Sequence, residues 1–491
     1  MNEQSERVQQ PAHEPIRDQR TDSRLAVVIM AAGKGTRLNS KRAKVLHEVG
    51  GKSLLAHVIA AASRVVSPAH IYVVVGHQAE RVRQAVGATG VHFVEQTEQR
   101  GTGHAVQAAR DAIAGYENIL VLSGDAPLIS AETIERIWHF HRQQHAAMTL
   151  LTAVPGQSFG YGRIIRRAPG SPEVEAIVEQ RSLTPEQDKI PEINAGFYAF
   201  RTAPLLAHLG ELRGDNPQGE LYLTDMAGVL SAAGERVVAI QTATPAEIVG
   251  ANTIAELVWL DALHRNANAS RLMSAGVTIL RPETCLIDVG VEVGPDTIIE
   301  PFVQLLGTTR VGADCRIRSY TVIENCTIGD RVLILQNCVM AESRIADGAR
   351  LGPFAHLRPL CEIGPDVHIG NFVEGKKTRI ARGAKANHFA YLGDSEIGAA
   401  SNIGAGTIFG NYDGVHKHPT RIGEGVFVGS NSTLVAPVTL HDGAYIGAAS
   451  CITKDVPAGA LAVGRARQVV KEGWVAARRQ RQQQKDQPGS A

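Results

Sequence analysis

Aliphatic residues spaced six apart run through the C-terminal half of this chain, and few folds can hold such a pattern. Ile287, Val293, Ile299, Leu305, Val311, Ile317 and Ile323 form one unbroken series. Ile345, Leu351, Leu357, Ile363 and Ile369 form a second, and Ile422, Val428, Leu434, Leu440, Ile446 and Ile452 a third. A glycine often follows the aliphatic, as in Val293-Gly294, Val311-Gly312, Ile369-Gly370, Ile403-Gly404 and Val428-Gly429. Alternating strands could also place an aliphatic at every sixth residue, because six is a multiple of the strand period. They would not also place glycine beside it, since glycine inside a strand is unfavourable unless the backbone must turn. A hexapeptide-repeat parallel β-helix explains both features. The short strand supplies the inward aliphatic, and a glycine-containing corner bends the chain onto the next face.

A chain of 491 residues is too long for one core, so two or more domains are expected. A net charge of +1 gives no basic surface for nucleic acid. No apolar run approaches the roughly 18 residues needed to span a bilayer, so no membrane partner is expected. All six cysteines (Cys285, Cys315, Cys326, Cys338, Cys361 and Cys451) fall singly within or beside the repeat. Without C-x-x-C spacing they read as small coil-filling residues in a reducing compartment, in preference to disulfides or zinc. Residues 1–23 are polar, of mixed charge and without a hydrophobic signal core, which predicts a disordered extension and a cytoplasmic protein.

The N-terminal half reads differently. Leu25–Met30 is a short apolar run expected to be a buried parallel strand, with further strands at Ile71–Val75, Val91–Val94 and Ile119–Leu122. Helical stretches fall between them at Leu54–Val66, Ala79–Val86 and His104–Ile113. This alternation predicts an α/β doubly wound, Rossmann-like sheet with ligands at the carboxyl ends of its strands. The first such end carries Ala31-Ala32-Gly33-Lys34-Gly35-Thr36-Arg37 and then Lys44. Gly33 and Gly35 let backbone approach phosphates, and Arg37 and Lys44 add positive charge. A dinucleotide-binding G-x-G-x-x-G would need glycine where Leu38 stands, and a Walker A loop would need it at Leu46.

The run from Leu25 to Lys44 resembles the start of the sugar-nucleotide pyrophosphorylases, and later elements follow in that family's order. Gln96 with Gly101-Thr102-Gly-His104 resembles the segment that reads uracil. Ser123-Gly124-Asp125 ends an apolar strand where the family places a metal-binding aspartate, and Asn252 matches its second metal position. Taken alone, Asp125 could be a strand-end turn residue; the upstream phosphate loop favours the metal. Gly160-Tyr-Gly162-Arg163, Glu179 and Asn194-Ala-Gly196 resemble the sugar-binding elements. The resemblance implies that Met30, Ala31, Ala32 and Gly33 contact the nucleotide, that Arg37 and Lys44 are catalytic, and that Mg²⁺ is the cofactor. Gln218–Asp225 also fits the family, with a packing role.

Between the second and third aliphatic series the six-residue step is disturbed, and Arg358, Lys376, His388, Tyr391, Asn402, Asn411, Tyr412 and Lys417 gather there. Asn411–Lys417 cannot continue the step and is expected to be an inserted loop on a binding face. His388 has the side chain best suited to proton transfer near neutral pH. The run Lys385–Asp394, with Gly404-Ala-Gly-Thr and Asn411-Tyr-Asp-Gly, resembles the acetyltransferase half of the bifunctional N-acetylglucosamine-1-phosphate uridyltransferase/glucosamine-1-phosphate acetyltransferases. That resemblance spans about Leu25 to Trp474. It implies a left-handed β-helix and a homotrimer, with His388 as general base, Arg358 and Lys376 on the sugar phosphate, and Tyr391 and Asn402 on the sugar. It also places Ala405, Asn411, Tyr412, Ser430, Ala448 and Arg465 along an acetyl-CoA groove, with UTP as the other co-substrate. Departures from the family pattern are Ala43, Ser123, Ala195, Leu360 and Arg467.

The domains expected are a uridyltransferase over 24–252, a linker helix over 253–275, a coil over 276–464, and a tail over 465–491. Thr253–Met273 reads as the helix, with Ile254, Leu257, Val258 and Leu272 on one face. The Arg/Gln-rich end of the tail is expected to be disordered. Two rival readings stay open at this point: a pyrophosphorylase for another sugar with a merely structural coil, and a non-catalytic regulatory subunit.

Overall fold

A computed structural model describes residues 24–156, 160–216 and 218–485; the extension over 1–23 lies outside them. The chain divides into two compact units between Ala267 and Asn268.

The first unit is built on a sheet of nine strands: β1 (Leu25–Met30), β2 (Ile71–Val75), β3 (His92–Glu95), β4 (Asn118–Ser123), β5 (Met148–Ala153), β6 (Arg163–Arg166), β7 (Val174–Val178), β8 (Ile193–Arg201) and β9 (Val237–Gln241). The main path runs β9-β5-β8-β4-β1-β2-β3. Leu25, Val27 and Ile29 pack into one apolar cluster, and Ala26 and Val28 into another. A strand covered on both faces needs a continuous apolar run, which is why β1 does not alternate. β1 pairs in parallel with β2 and β4, and the register sets Met30 opposite Ser123. The loops leaving these two strands therefore start side by side.

The sheet is mixed. β8 runs antiparallel between β4 and β5, and its register shifts between Asn194 and Tyr198, where Gly196 takes the left-handed φ of 76°. Ser53 caps the helix Leu54–Ala62 by accepting from the Ala56 amide, as a short side-chain oxygen does for an otherwise unpaired helix N–H. The single helix expected over His104–Ile113 is two pieces, Thr102–Ala108 and Arg110–Ile113.

The linker helix spans Ile254–Ser274, but its buried positions differ from those expected. Leu272 is buried as expected, but Ile254 and Val258 are exposed and Leu257 is only partly buried, and the other buried apolar positions are Leu260 and Ala269. Leu260 packs with Val49, Leu54 and Ala251 of the first unit, and Ala269 and Leu272 join the core of the second.

That second unit is a parallel β-helix of short strands whose inward residues form one continuous apolar core. Successive turns pair at an offset of 18 residues (Ile287 with Leu305), then 17 (Ile317 with Ile334), and again 18 (Ile345 with Ile363). The ladder does not stop after Ile369. Gly375, Ile380, Ala386, Leu392, Ile397, Ile403 and Phe409 continue it as buried positions, with one-residue slips that a strict six-residue search loses. The loop around Asn411–Lys417 is a true insertion, because the pairing offset rises from 17 to 25 across it (Ala386 with Ile403, then Ile403 with Val428).

Some coil glycines, such as Gly307 and Gly348, do take left-handed turns, but most of those that directly follow an inward aliphatic have a different task. The chain turns at left-handed residues such as Asp296, Phe302, Tyr320, Phe354, Phe372 and Phe389. Gly294, Gly370, Gly398 and Gly404 are not left-handed; a Cβ on each would run into the backbone of the neighbouring turn. They allow turns to stack closely and do not make the corner. Five cysteines are buried in the coil as free thiols, but Cys451 is exposed, so it fills no core. Burial pushes the Cys326 and Cys338 thiols up to about 11, which keeps them as neutral packing groups. The tail departs from expectation in forming a helix, Trp474–Lys485. No helix among the described residues is long and apolar enough to cross a membrane.

Candidate active sites

The carboxyl ends of β1 and β4 open into a cavity of about 520 Å³. Twelve sequence-predicted residues line it: Met30, Ala31, Ala32, Gly33, Arg37, Lys44, Gln96, Gly101, Thr102, Ser123, Asp125 and Asn252. Gly35 takes a left-handed φ of 61°, and a Cβ there would press on the Lys44 side chain, so glycine is needed for Lys44 to lie across the loop. The Lys44 ammonium touches the Asp125 carboxylate and lies 2.7 Å from Asn252 Oδ1. Arg37 Nη2 donates to the same oxygen at 2.7 Å. Asn252 Nδ2 donates to the Gly250 carbonyl at 3.2 Å, which turns the amide oxygen toward the two cations.

Two oxygen donors from separate segments thus converge on one ammonium, and the same donors suit a hard divalent cation. Among the described residues no group of three or more His, Cys, Asp or Glu could hold a metal alone. One carboxylate with phosphate oxygens is the way Mg²⁺ is usually held, so the donor set fits. Gly250 matters sterically, since a Cβ there would approach the Asp125 carboxylate to 3.1 Å.

Gln96 is buried at the inner wall, where its Nε2 donates to the Gly101 carbonyl at 3.1 Å and faces His104 Nδ1 at 3.0 Å. Leu221 clamps this loop: its N–H donates to Arg100 and its carbonyl accepts from Gly103, both at 2.7 Å. The Gln218–Asp225 segment therefore does more than pack, because Glu220 also lines the cavity. Lys34, Gln99 and Glu220 are wall residues that the sequence reading did not single out.

Gly124, Gly162, Glu179 and Asn194 lie outside this lining. Gly124 sits behind the wall, where a Cβ would come 2.8 Å from the Met30 carbonyl. The other three form a second cluster. The Asn194 amide donates to the Gly162 carbonyl at 2.9 Å, and Thr224 Oγ1 donates to Glu179 Oε1 at 3.0 Å. Burial raises the Glu179 carboxyl above its ordinary value, partly offset by that hydroxyl. Tyr161 adjoins both groups; burial first, then Glu256 and Asp125, push its phenol up.

On the coil, parallel stacking aligns residues far apart in sequence. Asn371 pairs directly with His388. Extending the register by two residues past each inward position gives one column: Asn371, His388, Ala405, Ser430 and Ala448. The Asn431 amide reaches the Ala405 carbonyl, and the Ala449 amide the Ser430 carbonyl, both at 2.7 Å. His388 is exposed, and its Nδ1 is 2.6 Å from Asn371 Oδ1.

At the next corner of the coil, Arg358 and Lys376 stand one residue past the paired Leu357 and Gly375. Arg358 is 3.2 Å from Glu374, and Lys376 is 3.8 Å from Asp394. Asp394 also accepts from Asn411 Nδ2 at 2.5 Å. The inserted loop returns Lys417 to this cluster, where the Lys376 ammonium holds it below the usual lysine value. Tyr391 pairs with Glu374 in the neighbouring turn, and Asn402 with Lys385. Tyr412 and Arg465 are exposed. The reading from sequence missed Asn371 and gave Asp394 no role. The signal for Asn371 was its place seventeen residues before His388, the local repeat of the coil.

Comparison with known proteins covers both units. The family model for the MobA-like NTP transferase domain matches residues 27–225, and that for six bacterial transferase hexapeptide repeats matches residues 419–454. A bifunctional protein GlmU of Koribacter versatilis (strain Ellin345) is 59% identical over 466 residues, covering 95% of this chain and 99% of the relative. One from Solibacter usitatus (strain Ellin6076) is 50% identical over 456 residues, covering 93% and 97%. Another from Trichlorobacter lovleyi is 44% identical over 451 residues, covering 91% and 97%.

Proposed function

The chain belongs to the family of bifunctional GlmU proteins, and from that premise we propose how its residues divide two reactions between two units. It is a bifunctional transferase. One activity moves the acetyl group of acetyl-CoA to glucosamine-1-phosphate. The other joins N-acetylglucosamine-1-phosphate to UTP, giving UDP-N-acetylglucosamine and pyrophosphate, a precursor for the cell envelope. Residues 24–252 serve as the uridyltransferase, 253–275 as the linker and 276–464 as the acetyltransferase. Membership sets aside both rivals, the pyrophosphorylase for another sugar and the regulatory subunit.

The observation that carries the uridylyl reading is the convergence of Arg37, Lys44, Asp125 and Asn252 at the cavity beneath Gly33 and Gly35. The sugar-phosphate oxygen attacks the α-phosphorus and pyrophosphate leaves. Arg37 and Lys44 offset the charge that builds on the phosphate oxygens during this exchange. Asp125 and Asn252 would hold Mg²⁺, which neutralises phosphate charge when bound. Gln96, Gly101 and Thr102 form the wall against which the uracil sits, with Met30, Ala31, Ala32 and Ser123 along the nucleotide. Gly162, Glu179 and Asn194 face the sugar. The raised carboxyl of Glu179 remains an acceptor for a sugar hydroxyl.

On the coil, Arg358, Lys376 and Lys417 supply the positive charge for glucosamine-1-phosphate. Tyr391 and Asn402 orient the sugar, and His388 takes the proton from its amine. The acetyl-CoA chain runs along Ala405, Ser430 and Ala448, with Asn411, Tyr412 and Arg465 beside it. A groove this open on a single coil is completed by neighbouring copies, which makes a homotrimer the working form. The enzyme works in the cytoplasm.

The test is to assay both half-reactions on the purified chain. Excess chelator should abolish uridylyl transfer, with Mg²⁺ restoring it, while acetyl transfer continues. Sedimentation should give a trimer. A stable monomer competent in acetyl transfer would overturn the assembly, and chelator-resistant uridylyl transfer the metal assignment.

A further inference from the structure

We propose that Asn371 is the positioning residue of the acetyl-transfer site, holding His388 in the tautomer whose Nε2 is the free base. The inference rests on the reading of His388 as general base and adds the residue that prepares it.

Three observations carry it. The first is register: Asn371 ends the strand His368–Asn371 and His388 ends Lys385–His388, and the parallel ladder sets the two directly opposite. The second is contact, with Asn371 Oδ1 2.6 Å from His388 Nδ1. The third is what remains. Among the described residues no hydrogen-bond partner occurs for His388 Nε2, on the exposed corner that leads to Ala405, Ser430 and Ala448.

An amide oxygen can only accept, so this contact requires the proton on Nδ1 and leaves the Nε2 lone pair open. Neighbouring strands fix the height of the ring as well. The Phe389 amide donates to the Asn371 carbonyl at 3.0 Å, and the Gly406 amide to the His388 carbonyl at 3.2 Å. Stacking of Phe372 on Phe389, with ring centroids 5.0 Å apart, braces the corner immediately after both residues. A base carried by an exposed side chain would otherwise sample both tautomers and several rotamers. A partner in the next turn of a rigid coil removes that freedom before the substrate arrives.

In the reaction the amine nitrogen bonds to the thioester carbon, its proton passes to Nε2, and the carbon–sulfur bond breaks. The coenzyme A thiolate takes that proton back from the imidazolium as it departs. Asn371 touches no reacting atom. Its oxygen keeps Nδ1–H engaged and stabilises the imidazolium formed in between.

The experiment uses the full-length chain with Asn371→Ala, Asn371→Asp and His388→Ala. Asn371→Ala should lower acetyl-transfer kcat by about 10–100-fold, the usual cost of losing an orienting partner. Its KM for glucosamine-1-phosphate should move by less than about threefold, because binding of the sugar phosphate is not the interaction removed. Asn371→Asp keeps an acceptor oxygen in the same place and should restore kcat to within about threefold of wild type. Uridylyl transfer by the same molecules should be unchanged, and a wild-type-like urea transition of the coil reports that each variant is folded. Long-range ¹H–¹⁵N spectra of histidine-labelled protein give the tautomer directly, with the His388 signal identified by its absence in His388→Ala. Wild type should show Nδ1–H, and Asn371→Ala a mixture.

Wild-type kcat in Asn371→Ala would overturn the proposal, as would an equal loss in Asn371→Asp or an Nε2–H tautomer in the wild-type protein. If Asn371→Ala fails to fold, the aspartate variant and the wild-type spectrum still decide. Undiminished acetyl transfer by His388→Ala would instead remove the general-base reading on which the inference stands.

Discussion

The sheet and the coil make sites by opposite routes. On the sheet, Arg37, Lys44, Asp125 and Asn252 come from four distant segments and meet because loops leave the ends of adjacent strands. On the coil, Asn371, His388, Ala405, Ser430 and Ala448 meet because each is one turn further along the same column. Convergence gives an enclosed site: the side chains of Lys44 and Asp125 are 14% and 20% exposed. Stacking gives a long, open one, with His388 and Arg465 in solvent. A convergent site can complete its electrostatics within one chain. A stacked site offers a row of groups along an edge and needs something opposite to exclude water.

The largest expected effect would break the comparison at its coil side. His388→Ala should lower acetyl-transfer turnover by about 10²–10⁴-fold, the usual cost of losing a general base. Uridylyl transfer should be unchanged. Wild-type acetyl transfer across neutral pH would make the histidine structural. The mirror experiment is Asp125→Ala, which leaves the Lys44 ammonium with one fewer oxygen partner and, on the proposed metal assignment, the site with one fewer ligand for Mg²⁺. Uridylyl turnover should fall by about 10²–10³-fold, as when a charge-stabilising group is removed from an active site. Acetyl turnover should hold. If either substitution depresses both activities equally, the two sites are not separable.

A smaller effect sharpens the comparison through glycine. Gly370 has no room for a Cβ, because the Asn387 carbonyl of the next turn occupies that space. Gly33 has open space instead: a Cβ there would meet nothing within 4 Å, and its φ is not left-handed. Gly370→Ala should therefore cost about 1–3 kcal/mol of stability, as overpacking does. Gly33→Ala should leave stability within about 0.5 kcal/mol and raise the KM for UTP, because there the missing side chain makes room for ligand. Urea titrations of both variants measure the contrast, and equal destabilisation would erase it.

The same contrast explains what could be read from the sequence. Repetition is visible in a linear chain, so the coil and its inserted loop were legible, and so were the strands from Leu25 to Leu122. The role of glycines such as Gly294, Gly370 and Gly404 was misassigned because the backbone that obstructs each lies one turn away. Asn371 was missed because six-residue counting loses phase where the coil slips to a 17-residue turn. In the first unit, β8 was not anticipated as a strand; the register shift between Asn194 and Tyr198 interrupts the pattern that would reveal it. The residues assigned to the sugar were singled out only by family likeness, since Glu179 meets Thr224 through a fold and not through a spacing. The tail helix was missed because Arg and Gln are compatible with helix as well as with disorder.

The last expected effect concerns acid, and it should fall on the sheet. His141 is 1% exposed on the helix Ala131–Gln144, its Nδ1 2.8 Å from Thr149 Oγ1 and its Nε2 without a partner among the described residues. Burial, with Arg201 nearby, lowers its pKa from 6.5 to about 4. The unfolded chain therefore binds a proton at this residue more readily than the folded one between those values. Stability is full above pH 6.5 and is lost as pH falls toward 4. The size of the effect from this one group is about 2 kcal/mol at pH 5. His264, lowered to about 4 chiefly by burial and then by His57 beside it, acts in the same direction on the same unit. Tryptophan emission suits the measurement, since Trp138 stacks near His141 with ring centroids 6.2 Å apart. The urea midpoint followed by that emission should drop between pH 7 and pH 5, and His141→Gln, which cannot titrate, should flatten the slope by that group's share. An unchanged slope in the variant would mean that His141 accepts its proton without unfolding, and the acid sensitivity of the sheet would have to come from elsewhere.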